Sequence, residues 1–216
     1  MIDLGDVVRA YQICGHCHVV DQDHGRVQHG HVCATCGEPG HEGGMMYFES
    51  SIHTMAALIQ EASKQLVRRH REIDASQIHN VSIVIFFCTV REALLNWFIK
   101  QLSRAQKIPK PIYARLLADN DLHSKRQNML LPSLTGKKWK ALVAEESVSS
   151  GINYHALNSL IKRSVDARNS LVHEGRPWQI DDALAMECVN QFPAMLSFYI
   201  ALHNRYVHPL HLTKSK

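Results

Sequence analysis

Two groups of residues in this chain have the types and spacing to do chemistry. The first is a quartet of cysteines. Cys14-Gly15-His16-Cys17 and Cys33-Ala34-Thr35-Cys36 are two C-x2-C pairs separated by fifteen residues. A two-residue spacer lets both thiolates of a pair meet one tetrahedral ion at about 2.3 Å, and two such pairs complete its shell. The second group is Arg168-Asn169-Ser170-Leu171-Val172-His173-Glu174-Gly175, which puts a cation, an amide and an imidazole within six residues. Four residues apart on a helix, Asn169 and His173 differ by about 40° and share a face. Arg168 lies about 140° round from His173, and its long side chain can reach back. An imidazole, which ordinarily titrates near neutrality, beside a fixed positive charge suits transfer or hydrolysis at a phosphodiester.

The cysteine spacing predicts that residues 1–44 form a small zinc ribbon, with one structural zinc held by Cys14, Cys17, Cys33 and Cys36. Gly15 and Gly37 are placed to relieve crowding where the backbone turns around the ion. Six histidines, at 16, 18, 24, 29, 31 and 41, could in principle replace a thiolate. Four cysteines already close the site, however, and a catalytic zinc needs an open position that no H-E-x-x-H or comparable base motif accompanies here. The stretch from Glu38 to Gly44 reads as a linker.

Charge is unevenly spread. Residues 1–50 carry two basic and seven acidic residues, while residues 51–216 carry 22 basic and 13 acidic ones. The ribbon therefore lacks the basic footprint of a nucleic-acid binder and suits folding or protein contact, and a polyanion would be expected on the larger part. Met1 to Asp6 shows neither a basic n-region nor an apolar h-region, and no apolar run reaches the roughly 18 residues that span a bilayer. The expectation is a soluble, cytoplasmic protein without a membrane partner, in which paired cysteines bind metal rather than form disulfides.

The elements that must position these groups read as helices. Apolar periodicity predicts long helices over 51–72, 75–106, 152–173 and 181–204, and shorter ones over 110–118, 121–130 and 136–146. The β-branched start of the second (Val81, Ile83, Val84, Ile85) could be a strand, but no breaker separates it from the helical run after Arg91. Pro132 is expected to close the helix before it, Pro193 to kink or break the last one, and the tail from His208 to fray. Trp97, Trp139 and Trp178 are assigned to the core by default, as are Cys88 and Cys188. The fold class is all-α: a bundle of four long helices with a helical insertion, residues 45–216, preceded by the ribbon.

The stretch Asp166 to Gly175 resembles the R-x4–6-H signature of the HEPN superfamily, an all-α fold in which an Asn after the Arg is common. The resemblance implies a helical bundle with the signature on its later helices. It also implies a metal-independent endoribonuclease with Arg168, Asn169 and His173 as catalytic residues. His173 would move protons at the 2′-hydroxyl or the departing 5′-oxygen, Arg168 would hold the scissile phosphate, and Asn169 would orient either. RNA carries its own nucleophile, so the products would be a 2′,3′-cyclic phosphate and a 5′-hydroxyl. The resemblance further implies a homodimer whose two motif copies meet on the two-fold axis, a role in a toxin or anti-phage system, and a protein antitoxin or regulator as partner. Glu92 is a secondary candidate that could fix Arg168. Two other readings compete: a non-catalytic HEPN module that binds RNA, nucleotide or a protein, and a zinc-ribbon adaptor whose helices only mediate assembly.

Overall fold

The computed structural model describes Leu4 and residues 12–14, 16–21, 33, 35–38, 50–68 and 73–209. His24, His29, His31, His41, the linker beyond Glu38 and the tail beyond Pro209 lie outside the described residues. The chain is mostly helical, as the apolar periodicity requires. Two short strands, β1 (Gln12–Ile13) and β2 (Val20–Asp21), pair antiparallel with Ile13 opposite Val20. The helices are α1 (Ser50–Arg68), α2 (Ile73–Ala105), α3 (Lys110–Asp119), α4 (His123–Lys125), α5 (Leu131–Thr135), α6 (Trp139–Ser150), α7 (Tyr154–Glu174) and α8 (Asp182–Tyr206).

The chain divides into two compact units assembled from distant segments. The first comprises residues 1–8, 48–93 and 153–196: α1, the start of α2, α7 and the start of α8. Within it, Asn80 on α2 donates to Asp182 at the head of α8, Arg163 on α7 pairs with Glu187 on α8 at 2.7 Å, and Ser164 lies 3.3 Å from Cys188. The backbone N–H of Leu4 donates to Gln60 on α1 at 3.0 Å. The second unit comprises residues 9–47, 94–152 and 197–216: the cysteine loops, the end of α2, α3 to α6, and the end of α8. Its core includes Trp139, set edge-on to Phe198 with ring centres 5.3 Å apart.

α2 is one helix throughout, because Ile83, Val84, Phe87, Val90, Leu94 and Phe98 are all buried at three- and four-residue spacing. Contrary to the expectation that no apolar run is long enough, Ile78–Ala105 could cross a membrane by length and composition, with mean hydropathy 1.6, yet 61% of its apolar window is buried. That apolarity belongs to a core helix.

Two prolines stand inside helical backbone. Pro132 does not close a helix. Helical backbone runs without a break from His123 to Thr135, and a wider π-helical turn, Arg126–Leu130, lies just ahead of Pro132, the kind of local widening that lets a helix take in a proline. Pro193 does not break α8, which runs unbroken from Asp182 to Tyr206. Phe192, Met195 and Leu196 beside it are fully buried, each contributing about 1.5–3 kcal/mol, enough to offset the roughly 3 kcal/mol that an interior proline costs.

α7 carries the candidate catalytic residues and has clear ends. Asn153 caps its start, with Oδ1 accepting from the Ala156 N–H at 3.2 Å. Gly175 ends it at φ +66°, a left-handed conformation glycine adopts without strain, and its N–H returns to the Leu171 carbonyl at 3.0 Å.

Candidate functional site

The cysteine sulfurs converge from two loops of one design. Cys14 N–H donates to the Val19 carbonyl at 2.9 Å, and His18 N–H returns to the Cys14 carbonyl at 3.0 Å. In the second loop Cys33 N–H donates to the Glu38 carbonyl and Gly37 N–H returns to the Cys33 carbonyl, both at 2.8 Å. The residue after the second cysteine is left-handed in each: Gly37 at φ +75° and His18 at φ +58°. Glycine does this freely, as expected of Gly37. For His18 the conformation costs about 1–2 kcal/mol. Gly15, also expected to ease the turn, lies outside the described residues.

All four sulfurs lie within 4.8 Å of one another, with Cys14 and Cys36 3.8 Å apart and Cys17 and Cys33 3.9 Å apart. Those separations are far beyond a disulfide bond of about 2.05 Å. They match the edge, about 3.8 Å, of a tetrahedron whose arms are about 2.3 Å. The quartet could therefore hold one metal ion. Burial pushes the Cys17 and Cys36 thiols up. Burial also opposes ionisation of Cys33, but the backbone N–H groups of Cys36 and Thr35 and the thiols of Cys14 and Cys36 together outweigh it and lower that thiol to about 7. A cation at the centre would favour the thiolate form of all four.

The first loop is held by side chains that no spacing in the sequence announces. Asn204 on α8 binds both backbone polar groups of Val20: it accepts from the N–H at 2.8 Å and donates to the carbonyl at 2.9 Å. His203 Nε2 donates to the His18 carbonyl at 3.1 Å, and its ring stacks on Trp97 with centres 5.1 Å apart. His208 Nδ1 donates to the Cys17 carbonyl at 2.6 Å. A carbonyl only accepts, so each ring nitrogen carries the proton there. His208 is thus buried and bonded rather than frayed.

The motif on α7 is arranged differently. Asn169 and His173 are both exposed on the last two turns. Arg168 is half-buried, and its guanidinium donates to Glu92 Oε1 on α2 at 2.9 Å. With about a third of each side chain exposed, this pair is screened and worth about 1 kcal/mol at most. Nε of Arg168 is buried and lacks a hydrogen-bond partner among the described residues. Burial pushes the nearby Cys88 thiol up to about 11, against the pull of Arg168 and Arg91. It pushes Cys188 up to about 12. Both cysteines are buried and protonated at neutral pH, as suits core residues.

Comparison with known proteins finds no matching family model, and no curated protein or solved structure similar at a significant level.

Of the three tryptophans, Trp97 and Trp139 are in the core at 4% and 6% exposure, but Trp178 is not. It lies in the 3-10 turn Pro177–Gln179 and is 69% exposed, because Gly175 turns the chain out of α7 just before it. Val172, between Asn169 and His173, is 62% exposed. The neighbouring Glu174 carboxylate is engaged by Arg176 at 2.9 Å. The end of α7 thus presents an amide, an imidazole and two apolar side chains, with a guanidinium one turn back engaged by a carboxylate.

Proposed function

We propose that the chain is a metal-independent endoribonuclease of the HEPN type, acting through Arg168, Asn169 and His173. The observation that carries this reading is the exposure of Asn169 and His173 together at the end of α7, on the helical turns that also carry Arg168. In the reaction the RNA 2′-oxygen attacks phosphorus, the new 2′-O–P bond forms and the P–O5′ bond breaks. One imidazole takes the 2′-hydroxyl proton and another gives a proton to the departing 5′-oxygen. A guanidinium stabilises the extra charge on the phosphoryl oxygens. One chain supplies one His173, so the two-group scheme needs a homodimer with the α7 ends facing the two-fold axis. Exposed Val172 and Trp178 offer apolar area for such a contact. Glu92 would act as a positioning residue for Arg168.

The metal of the cysteine quartet is proposed to be zinc, in a closed site that stabilises the fold. The support is the all-thiolate tetrahedral donor set. By resemblance the protein would be a cytoplasmic toxin or anti-phage effector under a protein antitoxin or regulator.

One observation favours the non-catalytic alternative, a module that binds RNA or a protein: the guanidinium meant for phosphate is engaged by Glu92. A labelled RNA incubated in EDTA, with and without a 2′-deoxy substitution at the cut site, decides between them. The ribonuclease reading expects cleavage that the deoxy substitution abolishes and that His173→Ala reduces by roughly 10²–10⁴-fold. Arg168→Lys should also be poor, since lysine lacks the bidentate fork. Cleavage that persists in His173→Ala rules out the mechanism, and no cleavage by folded dimer leaves the binding module.

A further inference from the structure

The basic excess of this chain is concentrated in one unit, and not in the one that carries Arg168 and His173. The first unit holds nine basic and twelve acidic residues, net −3; the second holds fifteen and eight, net +7. Nearly all of the second unit's excess comes from residues 94–152, with ten basic residues against four acidic. Within that stretch the cations gather at two turns. Arg104, Lys107 and Lys110 surround the passage from α2 to α3. Lys137, Lys138 and Lys140 surround the passage from α5 to α6. The two turns are neighbours, since the Gln106 side chain donates to the Leu134 carbonyl at 2.8 Å. Glu145 engages Lys137 at 2.7 Å. The other five cations are exposed and make no ion pair among the described residues. Lys107 also stands at a helix end in left-handed backbone, φ +59°, where α5, α6 and α7 each use glycine.

We infer that these two turns form a docking edge for the phosphate backbone of single-stranded RNA. Exposed, uncompensated cations at helix ends gain by releasing the counterions of a polyanion. A membrane surface fits less well: a cationic membrane face interleaves several large apolar side chains, and within three residues of these cations in sequence only Ile112 is large, apolar and exposed. The choice of RNA rests on the ribonuclease reading, whereas the phosphate chemistry does not. This edge would supply the affinity that a net acidic first unit lacks.

The test is binding of a labelled 2′-O-methyl RNA oligonucleotide to the full protein across a salt series. That RNA cannot be cut through its 2′-oxygen, so the result is independent of whether the chain is a nuclease. The triple variant Lys107→Gly, Lys138→Gln, Lys140→Gln removes three cations, and glycine at 107 relieves the backbone rather than straining it. Each lost phosphate contact should flatten the slope of log K against log salt by about 0.7, so by about 2 for three. Extrapolated from 1 M, that is about a hundredfold weaker binding at 0.1 M salt. Glu145→Gln removes the carboxylate that engages Lys137 and should strengthen binding, steepening the slope by up to about 0.7. Unchanged affinity and slope in the triple variant, with its melting temperature intact, overturns the inference. So does wild-type protein that binds phosphatidylserine vesicles but no RNA.

Discussion

Asn204→Ala is the sharpest test of how the cysteine loops are held. Val20 is 1% exposed, and Asn204 satisfies both its N–H and its carbonyl. Deleting the amide leaves two buried backbone groups unpaired, at about 1–3 kcal/mol apiece where water cannot reach them. The expected loss is about 2–6 kcal/mol. For a chain of this length, that lowers the melting temperature by about 4–24 °C. Asn204→Asp keeps an acceptor for the N–H but turns a carboxylate oxygen on the Val20 carbonyl, so it should rescue little. Because the loop so held contains Cys14 and Cys17, metal retention should suffer too. Each 1.4 kcal/mol of lost docking is about a tenfold weaker hold on the ion in competition with a chelator. Thermal unfolding of the metal-loaded protein and chelator titration measure the two effects. An Asn204→Ala protein that melts within about 0.5 kcal/mol of wild type and gives up metal at the same chelator concentration would show that α8 does not hold the loop.

Metal analysis of the purified protein should give about one ion per chain, colourless if it is zinc, and Cys33→Ser should lose both metal and stability. Retention of full metal by that variant would remove Cys33 from the ligand set. Glu92→Gln separates the roles of Arg168. Under the ribonuclease reading it leaves Arg168 less firmly aimed, and cleavage should fall while RNA binding holds or rises. If cleavage instead rises, Glu92 competes with phosphate for the guanidinium. In either case the fold should lose no more than about 1 kcal/mol, because the pair is partly exposed.

The parts of this protein legible in sequence are those whose signal is local. The C-x2-C pairs name their own partners, because a chelate loop is set by its own spacer, and the four sulfurs meet as that spacing demands. The long helices follow from periodicity, and Gly175 ends α7 where a glycine after a basic last turn is expected to. What binds the first cysteine loop was not legible. His203, Asn204 and His208 lie more than 180 residues from the groups they bind, and those groups are backbone atoms, which leave no residue type to recognise. Pro132 and Trp178 misled for a related reason. A π turn ahead of one and an outward turn ahead of the other decide their surroundings, and neither geometry is a propensity of the residue itself.

Exposure at the end of α7 and charge in the second unit bear on one question from opposite sides. His173 and Asn169 are accessible but sit in a net acidic unit, where Glu92 already engages the nearest guanidinium. A phosphodiester brought there by diffusion alone would meet little attraction. The cations that would attract it gather at the turns after α2 and α5. If the chain cleaves RNA, attraction and chemistry are therefore divided between different residues, and the two should fail separately. Neutralising Lys107, Lys138 and Lys140 should raise KM for a long RNA and leave the rate at saturation nearly unchanged. His173→Ala should lower that rate and leave binding alone. A triple variant whose saturated rate falls as far as that of His173→Ala would join the two functions and contradict the division.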